Sequence, residues 1–197
     1  ADIIELIDRL SLGRVHLVGH SRGGAVAYMV ARDAPQWVRS LVLAEPRGLE
    51  DLLPSDATVD EGARSSDAIF RALHENLRAG DTGLAARNFV DAFNGPGSWE
   101  AMSATQQTII LDNIGTSVDT GELPGMRCAD IASLGMPVLL VRGERSLPRY
   151  ARGFEAMRGC NPRIGEVVVI PGAPHGMHRV NPEAFNARVS TFLAGVS

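Results

Sequence analysis

Gly19-His20-Ser21-Arg22-Gly23 fits the pattern G-x-S-x-G, in which a serine sits on a sharp turn between a strand and a helix. Such a turn throws the hydroxyl clear of the backbone. Glycines two positions before and after the serine are expected to remove Cβ atoms that would collide across the turn. The helix that follows points its N-terminal N–H groups, and their partial positive charge, at the same spot. An anion forming beside Ser21 would meet the backbone N–H of Arg22. These are the parts of a nucleophile and half an oxyanion site, although a tightly packed turn would show the same five residues. Placement after a strand and before a helix favours the chemical reading.

The second set of candidates lies far along the chain, in Pro171-Gly172-Ala173-Pro174-His175-Gly176-Met177-His178. His175 sits in the loop after a strand, where open α/β sheets collect functional groups, and an imidazole there can serve as a base. A surface histidine is the plain alternative. His178 is expected about one turn further on, filling or lining the pocket. The pair does not read as a metal site, because the carboxylate or third ligand that zinc requires is missing nearby.

A serine and a histidine so far apart can meet only if a sheet aligns the loops that carry them. Asp2–Leu10 has apolar residues at helical spacing and Gly13 as a stop. Arg14–Gly19 reads as a buried strand, Ser21–Ala34 as a helix closed by Pro35, and Val38–Ala44 as a second strand. That alternation builds a parallel sheet with helices on its faces. Between Glu45 and Met136 the chain turns polar, with Pro54, Gly62 and Ser65-Ser66, and then helical at Asp67–Ala79, Gly83–Phe93 and Ala104–Ile114, with no strand. Alternation returns with strand Pro137–Arg142, helix Pro148–Met157, strand Glu166–Ile170 and helix Pro182–Leu193; both prolines suit a first helical position. The expected fold class is α/β, with core residues 1–46 and 137–197 interrupted by an all-helical insertion at 47–136.

Composition agrees with one globular domain or one domain with an insertion: 197 residues, 45% apolar, 21% charged. A net charge of −4 and the lack of a Lys/Arg run exclude the electrostatic footprint of a nucleic-acid binder. No apolar stretch approaches the roughly 20 residues that span a bilayer, and no secretory leader is read at the start. The two cysteines, Cys128 and Cys160, can pair at most once and lack metal-ligand spacing, so a reduced, cytoplasmic protein is expected. A small molecule is the expected partner, no cofactor is implied, and a homo-oligomer stays open.

With Arg14-Val15-His16-Leu17-Val18-Gly19-His20-Ser21-Arg22-Gly23-Gly24, and Ile170-Pro171-Gly172-Ala173-Pro174-His175 followed by Asn181-Pro182-Glu183-Ala184-Phe185, the chain resembles the α/β-hydrolase fold family. The resemblance implies that Ser21 is the nucleophile and His175 the base. It also implies that the helical insertion occupies the family's cap position. The third member, an acid that orients the imidazole, is where the chain departs. The family most often carries Asp in Gly-x-x-Asp after the seventh strand, and here Gly143-Glu144-Arg145-Ser146 puts Ser146 in that place. Glu144 is one substitute and Glu45, directly after strand Val38–Ala44, is the preferred one, since some relatives carry their acid at that strand end. Alternatively, Glu45 caps its loop or pairs with an arginine.

A second departure concerns extent. The four strands match the family's last four, which implies a fragment or truncated gene product with one sheet edge exposed. Without the loop that supplies the other oxyanion donor, activity is expected to drop roughly 100- to 1,000-fold. The expected reaction is hydrolysis of an ester-type carbonyl through an acyl-enzyme. Phe70, Phe89, Phe93, Trp99 and Met102 either shape the pocket or form the insertion's own core. Arg22 and Arg145 either steer an acidic substrate or are solvated, and the run Arg149 to Arg158 reads as a solvated helix face. A cofactor-free carbon–carbon bond hydrolase, a perhydrolase, or a non-catalytic ligand-binding protein would share the same motifs.

Overall fold

The computed structural model describes residues 2–53, 60–117 and 124–196. Four parallel strands, β1 (Val15–His20), β2 (Val38–Ala44), β3 (Val138–Gly143) and β4 (Val168–Ile170), lie side by side in chain order. His20 is level with Ala44, Ala44 with Val141, and Gly143 with Ile170. The carboxyl ends of all four strands therefore finish along one rim. Ser21, Glu45 and the loop holding His175 all leave from it.

Helices supply the crossovers that parallel strands require. α1 (Asp2–Arg9) precedes β1, and α2 (Arg22–Asp33) links β1 to β2. Along β2 the side chains alternate, Leu41 and Leu43 into one core and Val42 and Ala44 into the other, so the strand is an apolar run buried on both faces. The first core takes Tyr28 from α2; the second takes Phe185 and Val189 from the carboxyl-terminal helix described below. Each fully buried Val or Leu contributes about 1.5–3 kcal/mol of burial.

Between β2 and β3 lie α3 (Asp60–Arg78), α4 (Thr82–Asn94), α5 (Ala104–Asn113) and α6 (Cys128–Ser133), with no strand among the described residues. Asp81 caps α4 by accepting the Leu84 N–H, and Ser103 with Gln106 forms a reciprocal capping box on α5. The helix expected from Asp67 begins at Asp60, so Gly62 and Ser65-Ser66, in the polar stretch ahead of it, are helical; Pro54 lies outside the described residues. Small cores of Leu73, Ala85 and Ile114, and of Ala86, Val90 and Trp99, hold these helices together.

After β3 come α7 (Pro148–Cys160), β4, the short α8 (Met177–Val180) and α9 (Pro182–Ala194), with Pro148 and Pro182 each opening its helix. β4 is shorter than expected because it starts at Val168, leaving Glu166 exposed ahead of it. Cys128 and Cys160 form a disulfide joining the start of α6 to the end of α7, which corrects the expectation of reduced thiols. β1 has a neighbour on one side only, and its Val18 is exposed, as are Leu6 and Leu10 near it in the chain. Among the described residues no helix is long and apolar enough to cross a membrane.

Candidate active site

Ser21 lies between β1 and α2 with φ of 53°, a region that non-glycine residues enter only under constraint. Backbone bonds impose it. The Ser21 N–H donates to the Ala44 carbonyl (3.0 Å), and the Ser21 carbonyl accepts the N–H groups of Gly24 (3.0 Å), Ala25 (3.2 Å) and Arg47 (3.1 Å). A Cβ on Gly19 would fall on the Gly23 carbonyl and 2.7 Å from Gly24 Cα, and one on Gly24 would stand 2.8 Å from Pro46 Cβ. A Cβ on Gly23 would meet open space. The second glycine that the turn needs is therefore Gly24, which corrects the reading of the pentapeptide.

Glu45, also at positive φ (45°), is fully buried at the end of β2. Its Oε2 stands 2.6 Å from His175 Nδ1, and its Oε1 accepts the Gly143 N–H at 2.8 Å. Glu144 points elsewhere: it is exposed and accepts the Gly172 N–H (2.7 Å), while Arg145 Nε donates to the Gly172 carbonyl (2.8 Å). Both residues brace the turn that leads into His175, so Arg145 is not at the cavity. Ser146, in the place where an acid was looked for, has a buried hydroxyl with no hydrogen-bond partner.

The His175 ring is stacked on Tyr150 (centroids 5.2 Å, planes 7° apart) and flanked by Phe93 (5.2 Å) and His20 (4.5 Å). Its loop is tied to α4, where Asn94 Oδ1 accepts the Gly176 N–H at 2.7 Å. Burial pushes the Tyr150 phenol up to about 12, against the pull of Arg149, so it stays protonated. Ser21 and His175 open on one cavity of about 920 Å³, within the range of small-molecule sites. Phe70, Phe89 and Phe93 line it; Trp99 does not. Of the two places open to it, pocket or insertion core, Trp99, a candidate for substrate contact, packs in the helical core against Ala86 and Val90. Met102 lines a separate, smaller cavity.

His178 lies behind the site, with its ring 4.5 Å from His20 and 6.1 Å from Phe185. Burial, then Arg179 and His175, pushes it down. Arg22 is the first residue of α2, at that helix's positive end. Among the described residues no group of three or more His, Cys, Asp or Glu could hold a metal ion.

His20 was not singled out from the sequence, because it holds the unspecified position of G-x-S-x-G. Its Nε2 lies 2.9 Å from the His175 carbonyl oxygen. A carbonyl only accepts, so Nε2 carries the proton. Burial first, then the charges of His175 and His178, pushes the His20 pKa down to about 3. A neutral ring thus links the serine turn to the histidine loop. The run Arg149 to Arg158 also differs from expectation: Arg149 is only 7% exposed and faces the cavity.

The family model described as "Alpha/beta hydrolase family" matches residues 1–188. The dihydrolipoyllysine-residue acetyltransferase component of the acetoin cleaving system of Cupriavidus necator is 30% identical over 197 residues, covering 98% of this chain and 49% of that protein. The 2-(acetamidomethylene)succinate hydrolase of Mesorhizobium japonicum is 27% identical, covering 98% of this chain and 68% of that protein. The chain thus spans about half the length of the first relative and about two thirds of the second. In fold it is similar to the carboxylesterase CesB (YbfK) of Bacillus subtilis, with a TM-score of 0.72 and 22% identity, covering 98% of this chain and 64% of that one.

Proposed function

Because the chain belongs to the alpha/beta hydrolase family, we propose that it carries the chemical half of a serine hydrolase that cleaves ester-type carbonyls through an acyl-enzyme. The observation that carries this reading is the buried Glu45–His175 pair beside a cavity that Ser21 shares. In it Glu45 fixes the Nδ1–H tautomer of His175 and stabilises the imidazolium. His175 takes the proton from Ser21 as Oγ attacks the carbonyl, then returns it to the leaving alcohol, and water resolves the acyl-enzyme by the same route. The Arg22 N–H at the start of α2 is one oxyanion donor. Residues 47–136 act as a cap over the reaction, with core residues 1–46 and 137–197 beneath.

Hydrolase names among the relatives and esterase among the structural neighbours support a hydrolytic reaction. The serine turn supports a step through a serine ester, since it presents the Ser21 hydroxyl at the end of β1 beside the cavity. Labelling with a fluorophosphonate, together with turnover of short p-nitrophenyl esters, tests the proposal. Wild-type protein should take up the probe at Ser21 and hydrolyse the esters, and Ser21→Ala should do neither. Turnover that persists in Ser21→Ala would remove the assignment.

A further inference from the structure

The mechanism above employs no arginine side chain, yet Arg47, Arg149 and Arg179 all line the cavity in front of Ser21. Burying a guanidinium is costly unless its charge and donors are matched. At Arg149 the match is partial. Nη1 is 3.2 Å from Glu50 Oε1 and Nη2 donates to the Tyr150 hydroxyl at 2.8 Å, while the guanidinium stands 4.7 Å from the centre of the Tyr150 ring and 5.6 Å from that of Phe93. Its Nε is buried with no hydrogen-bond partner.

Arg47 is next to the serine through its own backbone, since its N–H donates to the Ser21 carbonyl, and its guanidinium lies 4.3 Å from the centre of Phe70. Burial pushes the Arg47 pKa down, and the charges of Arg22 and Arg149 push the same way against Glu50. Cations are thus crowded where an anion would relieve them. Among the described residues of the lining, three arginines stand against two carboxylates, Glu50 and Asp51.

We propose that the cavity takes substrates bearing a carboxylate, seated on Arg47 and Arg149, with the apolar part of the molecule against Phe70, Phe89 and Phe93. Arginine binds a carboxylate through paired N–H donors. This names the substrate class for the site proposed above, but the binding step itself does not depend on turnover.

The test is calorimetric titration of the protein with 4-phenylbutyrate and with its neutral isostere 4-phenylbutyramide. The acid should bind at least about tenfold more tightly. Arg47→Gln should erase that difference, leaving the amide unaffected, and Arg149→Gln should weaken the acid in the same direction. If either variant fails to fold by circular dichroism, raising chloride on the wild-type protein serves instead: it should weaken the acid and spare the amide. Equal affinity for acid and amide, absence of binding by both, or full retention of the preference in Arg47→Gln would overturn the proposal. Selective binding of the acid by a protein that hydrolyses no ester would count against the serine mechanism alone. Ester hydrolysis without any preference for the acid would count against this inference alone.

Discussion

His175 Nδ1 lies 2.6 Å from Glu45 Oε2, on a carboxylate whose other oxygen accepts the Gly143 N–H. Both donors need an acceptor, and an ionised carboxylate provides two. Glutamine provides only one, so in Glu45→Gln an amide N–H must confront either His175 or Gly143. The imidazole then loses its Nδ1–H tautomer or its fixed orientation. On the proposed mechanism kcat for p-nitrophenyl acetate should drop by about 10²- to 10⁴-fold with little change in KM. A kcat unchanged from wild type would take Glu45 out of the reaction.

The glycines of the serine turn give a sharper test of how that turn is built. A Cβ on Gly19 meets backbone, which cannot move aside, so Gly19→Ala should destabilise by about 1–3 kcal/mol or more. Gly23 lies in the first turn of α2 with open space around it, so Gly23→Ala should be neutral or stabilise by roughly 0.5–1 kcal/mol. Urea unfolding of the two variants reads the difference directly. The opposite ranking would mean that the turn is packed differently.

His20 ties stability to pH. In the unfolded chain it titrates near 6.5, and in the folded protein burial, with His175 and His178 beside it, pushes it down to about 3. Between those values the unfolded chain takes up a proton that the folded protein refuses. Its contribution is therefore complete above about pH 6.5 and is lost as pH falls towards 3, at up to roughly 1.4 kcal/mol per pH unit. His20→Gln keeps a donor for the His175 carbonyl but cannot titrate. Its unfolding free energy should fall less steeply over this window, by up to about one proton. Part of the slope should survive, because burial lowers His178 too. Identical slopes for variant and wild type would contradict the assignment.

Strand-to-helix turns announce themselves through local pattern, which is why Ser21 and the loop of His175 are legible in the sequence. Glu45 could be preferred to Glu144 because parallel strands in register end along one rim, and a residue directly after β2 must lie there. What pattern does not carry is how elements distant in sequence pack together. Gly24 matters through Pro46, and His20 through a carbonyl on the opposite loop. Arg149 resembles the exposed arginines that follow it in α7 until Glu50, Tyr150 and Phe93 close around it. Trp99 has the apolar neighbours of either a pocket or a core, and only the packing of α4 and α5 decides for the core. α6, six residues long, is too short for periodicity to reveal.

The Cys128–Cys160 disulfide closes a loop of 32 residues that spans α6, β3 and α7. Such a cross-link acts mainly by limiting the unfolded chain, so its removal should cost about 2–4 kcal/mol. Noncovalent contacts also hold this region together: Asn161 Nδ2 donates to the carbonyls of Ile131 and Leu134, and Ile131 is buried. Reduction should therefore lower the urea midpoint without unfolding the protein at rest. Cys128 is exposed, which gives dithiothreitol access to the bond. Cys160→Ser should reproduce the shift and be insensitive to the reductant. A wild-type midpoint that dithiothreitol leaves in place, with two free thiols titrating per chain, would show that the covalent link adds nothing to the contacts already holding α6 on α7.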